Sequence, residues 1–318
     1  MTSDILPILE IPKPDMQKID ARAPVEELLT VRDFLRWTLS RLQSSQVYLG
    51  HGTDDLWDEA LHLVLHALHL DLTVDDRILD ARLLTKEREH IVYLVKQRIE
   101  QKIPTPYLTQ TAWLDGLSFF VDERVLIPRS PIAEIISQQF QPWIESDRVD
   151  RILDLCTGSG CLAILAQRQF PEAEVWATDL SPDALIVAQK NCDRHDYKEL
   201  LLIESDGFDK IPKQAFDVIV CNPPYVPKKS MQSLPEEYQH EPVLALVAGD
   251  DGLSVVRKIL PHVVDYLAPG GILILEVGEA ADALEQAFNW PWVWLDLEQG
   301  GEGVCVIQRE QIESALMV

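Results

Sequence analysis

Asn222-Pro223-Pro224-Tyr225 combines the residue types best suited to chemistry on a planar nitrogen. The tetrapeptide follows an apolar run, Phe216-Asp217-Val218-Ile219-Val220-Cys221, that reads as a buried parallel strand, so its polar groups stand at a strand's carboxyl end. Two successive prolines fix φ and carry no N–H, which leaves the carbonyls of Asn222 and Pro223 directed outward as acceptors. The Asn222 side-chain oxygen beside such a carbonyl suits the two hydrogens of an NH2 group, and the Tyr225 ring could lie against the amide or amine that carries it. Taken alone, the four residues also fit an ordinary turn at the end of a strand.

The elements that would position this tetrapeptide begin upstream. Arg151-Ile152-Leu153-Asp154-Leu155-Cys156 reads as a strand that runs into Thr157-Gly158-Ser159-Gly160 and then into a helical pattern through Phe170. Glycines there let the backbone approach a ligand closely, and amides at the helix start favour an anionic or carboxylate group. Gly158-Ser159-Gly160-Cys161-Leu162-Ala163 also satisfies the dinucleotide pattern, which brings a nicotinamide dehydrogenase into consideration. Asp154 weighs against it, because a carboxylate before the loop takes the ammonium of a methionine moiety and repels a pyrophosphate. Glu174-Val175-Trp176-Ala177-Thr178-Asp179 reads as the second strand, with Asp179 placed for a ribose diol. The third, Leu200-Leu201-Leu202-Ile203-Glu204, ends in Ser205-Asp206-Gly207-Phe208, a carboxylate for an adenine amino group with an aromatic face beside it. Only S-adenosylmethionine uses all of these sites. The candidate cofactor-binding residues are therefore Asp154, Cys156, Thr157, Gly158, Ser159, Gly160, Asp179, Asp206, Gly207, Phe208 and Asn222.

This order of motifs resembles the seven-stranded, Rossmann-like S-adenosylmethionine methyltransferases, and Asn-Pro-Pro-Tyr narrows the resemblance to those that methylate glutamine or amino-adenine nitrogens. Leu234-Pro235-Glu236-Glu237-Tyr238-Gln239-His240-Glu241-Pro242 looks like the corresponding loop of the bacterial protein N(5)-glutamine methyltransferases, which modify release factors or a large-subunit ribosomal protein. Within that family the chain most resembles the ribosomal-protein branch. The stretches that carry this are Gly50-His51-Gly52-Thr53-Asp54, Trp57-Asp58-Glu59-Ala60, Val121 to Pro131, Asp154 to Cys161, and Gly300-Gly301-Glu302-Gly303-Val304. After Ile127-Pro128-Arg129 the chain continues Ser130-Pro131-Ile132-Ala133-Glu134, where the release-factor branch has Pro-Asp-Thr-Glu.

The resemblance implies an α/β fold: a seven-stranded Rossmann-like methyltransferase domain, a small N-terminal helical domain that holds the protein substrate, and a linking β-hairpin. It implies methyl transfer from S-adenosylmethionine to the side-chain amide nitrogen of a glutamine in a basic large-subunit ribosomal protein. Asn222, Pro223 and Tyr225 are then the expected catalytic residues, and Asn222, Pro223, Pro224 and Tyr225 the expected substrate-binding ones. An amide nitrogen is a poor nucleophile, but accepting both its hydrogens at Asn222 Oδ1 and the Pro223 carbonyl turns its lone pair toward a sulfonium methyl. Fixed near-attack geometry contributes about 7–11 kcal/mol in favourable systems, so no strong base is required.

Residues 1–27 hold Pro7, Pro12, Pro14 and Pro24 among mixed charges and read as a loosely ordered tail. From there the pattern predicts a helical domain over 28–103, with Leu28, Val31, Phe34, Leu35, Leu39 and Leu42 on one face, Thr53-Asp54 capping a second helix, and a third from about Lys86 to Gln101. A lid packed on the catalytic domain fits this pattern as well as a substrate holder does. Pro104-Thr105-Pro106-Tyr107 reads as a linker and Trp113 to Val125 as the hairpin, together 104–130, leaving 131–318 for the catalytic domain. There, Gly252 to Tyr266 reads as a helix, Gly270-Gly271 as a turn, Ile272 to Val277 as a fifth strand, and Trp292 to Leu297 with Val304 to Gln308 as an edge hairpin. His62, His66 and His69 fall at i, i+4 and i+7 of a helical pattern, but no acidic or cysteine partner has ligand spacing, so a helix interface and no metal is expected.

The 318 residues carry a net charge of −24, which disfavours direct nucleic-acid binding and suits a basic protein partner. That balance weighs against the alternative substrate, an adenine amino group in DNA, while intact cofactor motifs weigh against a non-catalytic binding module. Five cysteines without C-x-x-C spacing point to reduced packing residues. No run approaches the about 18 apolar residues a membrane span needs, and the expected location is the cytoplasm.

Overall fold

A computed structural model of the chain describes residues 20–298 and 301–317, and they divide into two units. One takes the described residues up to Leu49 together with Thr53–Thr109; the other takes Gly50–Gly52 and those from Gln110 onward. Residues 1–19, most of the expected tail, and Gly300 lie outside the described residues.

The first unit is helical: α1 (Arg22–Glu27), α2 (Val31–Ser45), α3 (Leu56–Ala67), α4 (Thr85–Glu100) and α5 (Thr105–Thr109). The end of the expected tail is thus a helix. Pro24 is tolerated because it sits in the first turn, where no N–H is needed, and Arg88 Nη1 donates to the carbonyls of Val25 and Leu28. A capping box fixes the start of α2: Thr30 Oγ1 accepts from Asp33 N, and Asp33 Oδ2 from Thr30 N at 2.9 Å. The cap of α3 is Asp55 rather than Thr53-Asp54; Asp55 Oδ1 accepts from Trp57 N at 2.6 Å, while Thr53 Oγ1 accepts from Asp55 N. His69 lies beyond the end of α3 in a left-handed turn with φ of 55°, so it does not share a helical face with His62 and His66. The expected linker at Pro104 to Tyr107 is largely helical, with Pro106 again in a first turn.

Val31, Phe34, Leu35, Leu63, Val64, Ile91 and Val95 form the apolar core of this unit. Within it, Arg98 is 1% exposed and donates through Nε to Glu59 and through Nη2 to the Tyr48 carbonyl, while Thr105 Oγ1 donates to Glu59 Oε1 at 2.8 Å. Glu59→Ala removes the carboxylate that neutralises that guanidinium and will cost about 3–5 kcal/mol, read from the shift of the urea midpoint at unchanged slope.

The second unit opens with a hairpin, β1 (Thr111–Leu114) and β2 (Leu117–Phe120), shorter than the expected Trp113 to Val125 because the ladder closes at Leu114↔Leu117 across Asp115-Gly116. After α6 (Ile132–Ser137), seven strands form one sheet. They are β3 (Arg151–Leu155), β4 (Glu174–Asp179), β5 (Leu201–Glu204), β6 (Phe216–Cys221), β7 (Leu267–Glu276), β8 (Val293–Trp294) and β9 (Val304–Gln308). Their order is β5-β4-β3-β6-β7-β9-β8, with β9 antiparallel to both neighbours. Two strands differ in extent from expectation. Pairing of Leu267 with Phe216 carries β7 back through the expected Gly270-Gly271 turn, and only Val293 and Trp294 of the Trp292 to Leu297 run pair with β9.

Successive residues of the central strands face opposite cores, as the pleat requires. Ile152, Val218, Val220, Ile272 and Ile274 pack with Ile132, Ile136, Leu162 and Leu165 from α6 and α7 (Cys161–Gln169). Leu153, Leu155, Ile219, Leu273 and Leu275 face the other way, onto Val256, Ile259, Leu260 and Val263. Those four lie on a helix of residues 256–263, shorter than the expected Gly252 to Tyr266. Both faces are covered, which accounts for the unbroken apolar runs. The strand order reverses between β3 and β6, and the pair Leu155↔Cys221 sets Cys156 beside Asn222 at their carboxyl ends, where a crevice opens.

Candidate active site

A cavity occupies that crevice. Cys156, Thr157, Gly158 and Ser159 line it after β3, Asp179 after β4, Asp206 and Gly207 after β5, and Asn222 and Pro224 after β6. Arg124 to Ser130 line another side, with Pro242, Leu244 and Ala245. Eight of the eleven residues expected to hold the cofactor thus meet at one wall. The other three do not. Asp154 lies under the glycine loop, 1% exposed. Gly160 starts α7 with φ of 80° and faces α8 (Pro182–Arg194), where an added Cβ would lie 3.1 Å from Ala188 Cβ. The expectation for Phe208 is corrected: its ring is 6% exposed and stacks on Tyr266 at a centroid distance of 4.2 Å, inside the core below the cavity.

Asp154 organises the loop from beneath. Its Oδ2 accepts from Thr157 Oγ1 at 2.5 Å and from Ala163 N at 3.1 Å, and its Oδ1 is buried with no partner. Burial, reinforced by the Asp179 charge and only partly offset by these hydrogen bonds, pushes the Asp154 carboxyl up to about 7. Asp179 joins loop to strand: Oδ2 accepts from Gly158 N and Oδ1 from Ser181 N, each at 2.9 Å, and burial raises its carboxyl as well. Asp206 Oδ2 pairs with Lys258 Nζ at 2.8 Å. The residues fit S-adenosylmethionine. Carboxylates stand at or beneath the cavity wall for an ammonium and a ribose, Gly158 has no atom within 4 Å of where a Cβ would be, and Asn222 Oδ1 is buried without a partner.

With its carboxyl pushed up to about 7, Asp154 in its expected role opposite the cofactor ammonium is drawn toward its charged form on binding. Cofactor affinity measured calorimetrically will therefore weaken as pH falls below about 7, and Asp154→Asn will flatten that dependence.

Of the tetrapeptide, Asn222 and Pro224 reach the cavity wall, whereas Pro223 is buried and Tyr225 points elsewhere. Tyr225 OH donates to Glu276 Oε1 at 3.0 Å, and Ser130 Oγ donates to Oε2 of the same carboxylate at 2.5 Å. Burial and the Glu276 charge raise the Tyr225 hydroxyl above its ordinary value. Glu276 and Gly278 were not singled out from sequence, since neither belongs to a local motif. Gly278 is required by a close approach: an added Cβ would fall 2.5 Å from Tyr225 Cε2. Gly303 packs against Gly278 in turn, where a Cβ would lie 2.3 Å from the Gly278 carbonyl oxygen.

A second buried carboxylate, Glu241, grips the opposite rim. It accepts from Ile127 N at 3.0 Å and, bidentately, from Arg129 Nη1 and Nη2 at 2.6 and 2.8 Å; His51 Nε2 lies 3.4 Å away. Burial alone would raise this carboxyl, but the Arg129 charge and the hydrogen bonds outweigh it and hold it down at about 2. The Tyr238 ring lies under the Arg129 guanidinium at 5.4 Å and beside His51 at 4.6 Å. Three separated stretches noted for their resemblance thus converge through His51, Arg129, Tyr238 and Glu241. Their types alone do not announce the cluster.

Residues 135–240 match a family model described as methyltransferase small domain. The ribosomal protein uL3 glutamine methyltransferase of Bordetella pertussis is 47% identical over 292 residues, covering 91% of this chain and 98% of that protein. Its counterpart from Francisella tularensis subsp. tularensis is 43% identical over 291 residues, covering 91% of this chain and 93% of that one.

Proposed function

Since the chain belongs to the ribosomal protein uL3 glutamine methyltransferase family, we propose that it methylates the side-chain amide nitrogen of a glutamine in uL3 from S-adenosylmethionine. The observation that carries the site assignment is Asn222 Oδ1, a buried acceptor without a partner in a residue of the cavity wall. S-adenosylmethionine supplies an electrophilic methyl when bound. Asn222 Oδ1 and the Pro223 carbonyl accept the two N–H hydrogens of the substrate amide, which orients its nitrogen and opposes the positive charge that develops there. The N–H held at Asn222 Oδ1 becomes acidic as that charge grows, so its proton leaves to solvent after transfer without a dedicated base. Asp154, Asp179 and Asp206 with Gly158 bind the cofactor. Tyr225 stands behind the Asn222-Pro223-Pro224 turn, its hydroxyl held by Glu276.

The charge of −24 favours a basic substrate protein, reached in the cytoplasm, and steers its approach. No helix among the described residues is long and apolar enough to cross a membrane. The test is incubation of the purified enzyme with S-adenosylmethionine and unmethylated uL3, with unmethylated release factors in parallel, and mass-spectrometric mapping of added methyl. One modified glutamine in uL3 is the expected result. Methyl on release factors alone would move the chain to the sister specificity.

A further inference from the structure

Glu276 ends β7, is 5% exposed, and accepts hydroxyls from two segments far apart in sequence. Ser130 belongs to the rim held by Glu241, and Tyr225 closes the tetrapeptide that carries Asn222. Gly278 lies against one side of the Tyr225 ring, where an added Cβ would fall 2.5 Å from Cε2, and Gly303 packs behind Gly278 while its carbonyl accepts from Val277 N at 2.7 Å. Burial raises the Glu276 carboxyl, opposed by these two hydroxyls and by the Arg129 charge. Tyr225 is absent from the cavity wall while Asn222 and Pro224, in the same turn, are part of it.

We propose that Glu276 is a positioning residue for methyl transfer, acting through the Tyr225 hydroxyl to hold the Asn222-Pro223-Pro224 turn at a fixed distance from the Ser130 rim. This rests on the reading of Asn222 as the acceptor of the substrate amide. It assigns the tyrosine a role in its hydroxyl as well as in its ring, and it places the control of turnover on a carboxylate that touches no substrate. Misplacement of a reacting group by about 1 Å can cost on the order of a hundredfold in rate, so a loosened turn is expected to be costly.

The test is a double-mutant cycle on uL3 methylation. Tyr225→Phe keeps the ring and removes the donor; Glu276→Ala removes the acceptor; Glu276→Gln keeps an oxygen for Tyr225 and can donate to Ser130 Oγ. Tyr225→Phe and Glu276→Ala are each expected to lower kcat by about ten- to a hundredfold, with cofactor affinity unchanged. The double variant should be no worse than either single, and Glu276→Gln should recover most of the rate. Losses that multiply, or a Tyr225→Phe enzyme with normal kcat, would overturn the proposal. If Glu276→Ala does not fold, Tyr225→Phe and Glu276→Gln complete the comparison. A readout independent of substrate is the Asn222 side-chain amide resonance in the labelled, cofactor-bound protein. It should shift alike in Tyr225→Phe and Glu276→Ala, and an unmoved resonance counts against the proposal even if uL3 proves not to be the substrate. Absence of uL3 methylation by the unaltered enzyme would instead remove the functional reading.

Discussion

Asn222→Ala will lower turnover by at least about 10²–10³-fold while the enzyme still binds S-adenosylmethionine within a few-fold of its normal affinity. The asymmetry follows from the geometry. In the proposed mechanism three carboxylates and the glycine loop address the cofactor, whereas the substrate amide depends on Asn222 Oδ1, a buried acceptor without a protein partner. Removing it leaves one N–H of the amide without an acceptor when its nitrogen becomes positive. Single-turnover rates with cofactor pre-bound, set beside calorimetric cofactor binding, separate the two effects. Near-normal turnover would remove Asn222 from the mechanism.

Glu241→Ala is expected to destabilise the catalytic unit by about 3 kcal/mol. The low end of the usual range applies because the Arg129 side chain remains 23% exposed and regains some hydration. Linkage gives a similar figure: lowering the carboxyl from 4.5 to about 2 is worth about 3 kcal/mol at neutral pH. The sign is fixed by the direction of that change. A carboxylate held below its unfolded value stabilises the protein above about pH 4.5, and the contribution disappears as pH falls through about 2. Urea titrations of both proteins should therefore differ at pH 7 and converge at low pH. A gap that persists into strong acid would mean that packing, and not charge, holds the rim.

The placement of Asn222 at the end of β6, of the glycine loop after β3 and of Asp179 after β4 was legible, because each belongs to a short-range pattern of strand and turn written in adjacent residues. The antiparallel edge strand was legible from glycines flanked by apolar runs. Other features were not. Phe208 could face the cavity or the core from its position after β5, and only Tyr266, brought in by the helix that precedes β7, decides for the core. The cap at Asp55 and the helix at Arg22–Glu27 turn on one residue of local hydrogen bonding and on a contact with Arg88. Glu241 with Arg129, and Glu276 with Ser130, join residues 112 and 146 positions apart, a separation that leaves no periodic trace. Gly303 behind Gly278 behind Tyr225 belongs to the same class. Glycine spacing there marks close approach between distant segments, which a turn signal in sequence does not distinguish from a hairpin.

The segment that follows Tyr225 leaves the sheet and returns to it at nearly the same place. Val226 N donates to the Leu246 carbonyl at 2.8 Å, Ala248 N to the Val226 carbonyl at 3.0 Å, and Lys228 N to the Gly249 carbonyl at 2.8 Å. With its neck stitched by backbone bonds and its far limb pinned by Glu241, the excursion over residues 229–235 can change length or wording without transmitting strain to Asn222. An exchanged stretch that leaves Tyr238 and Glu241 in place should therefore yield an enzyme of unaltered methyl-transfer chemistry.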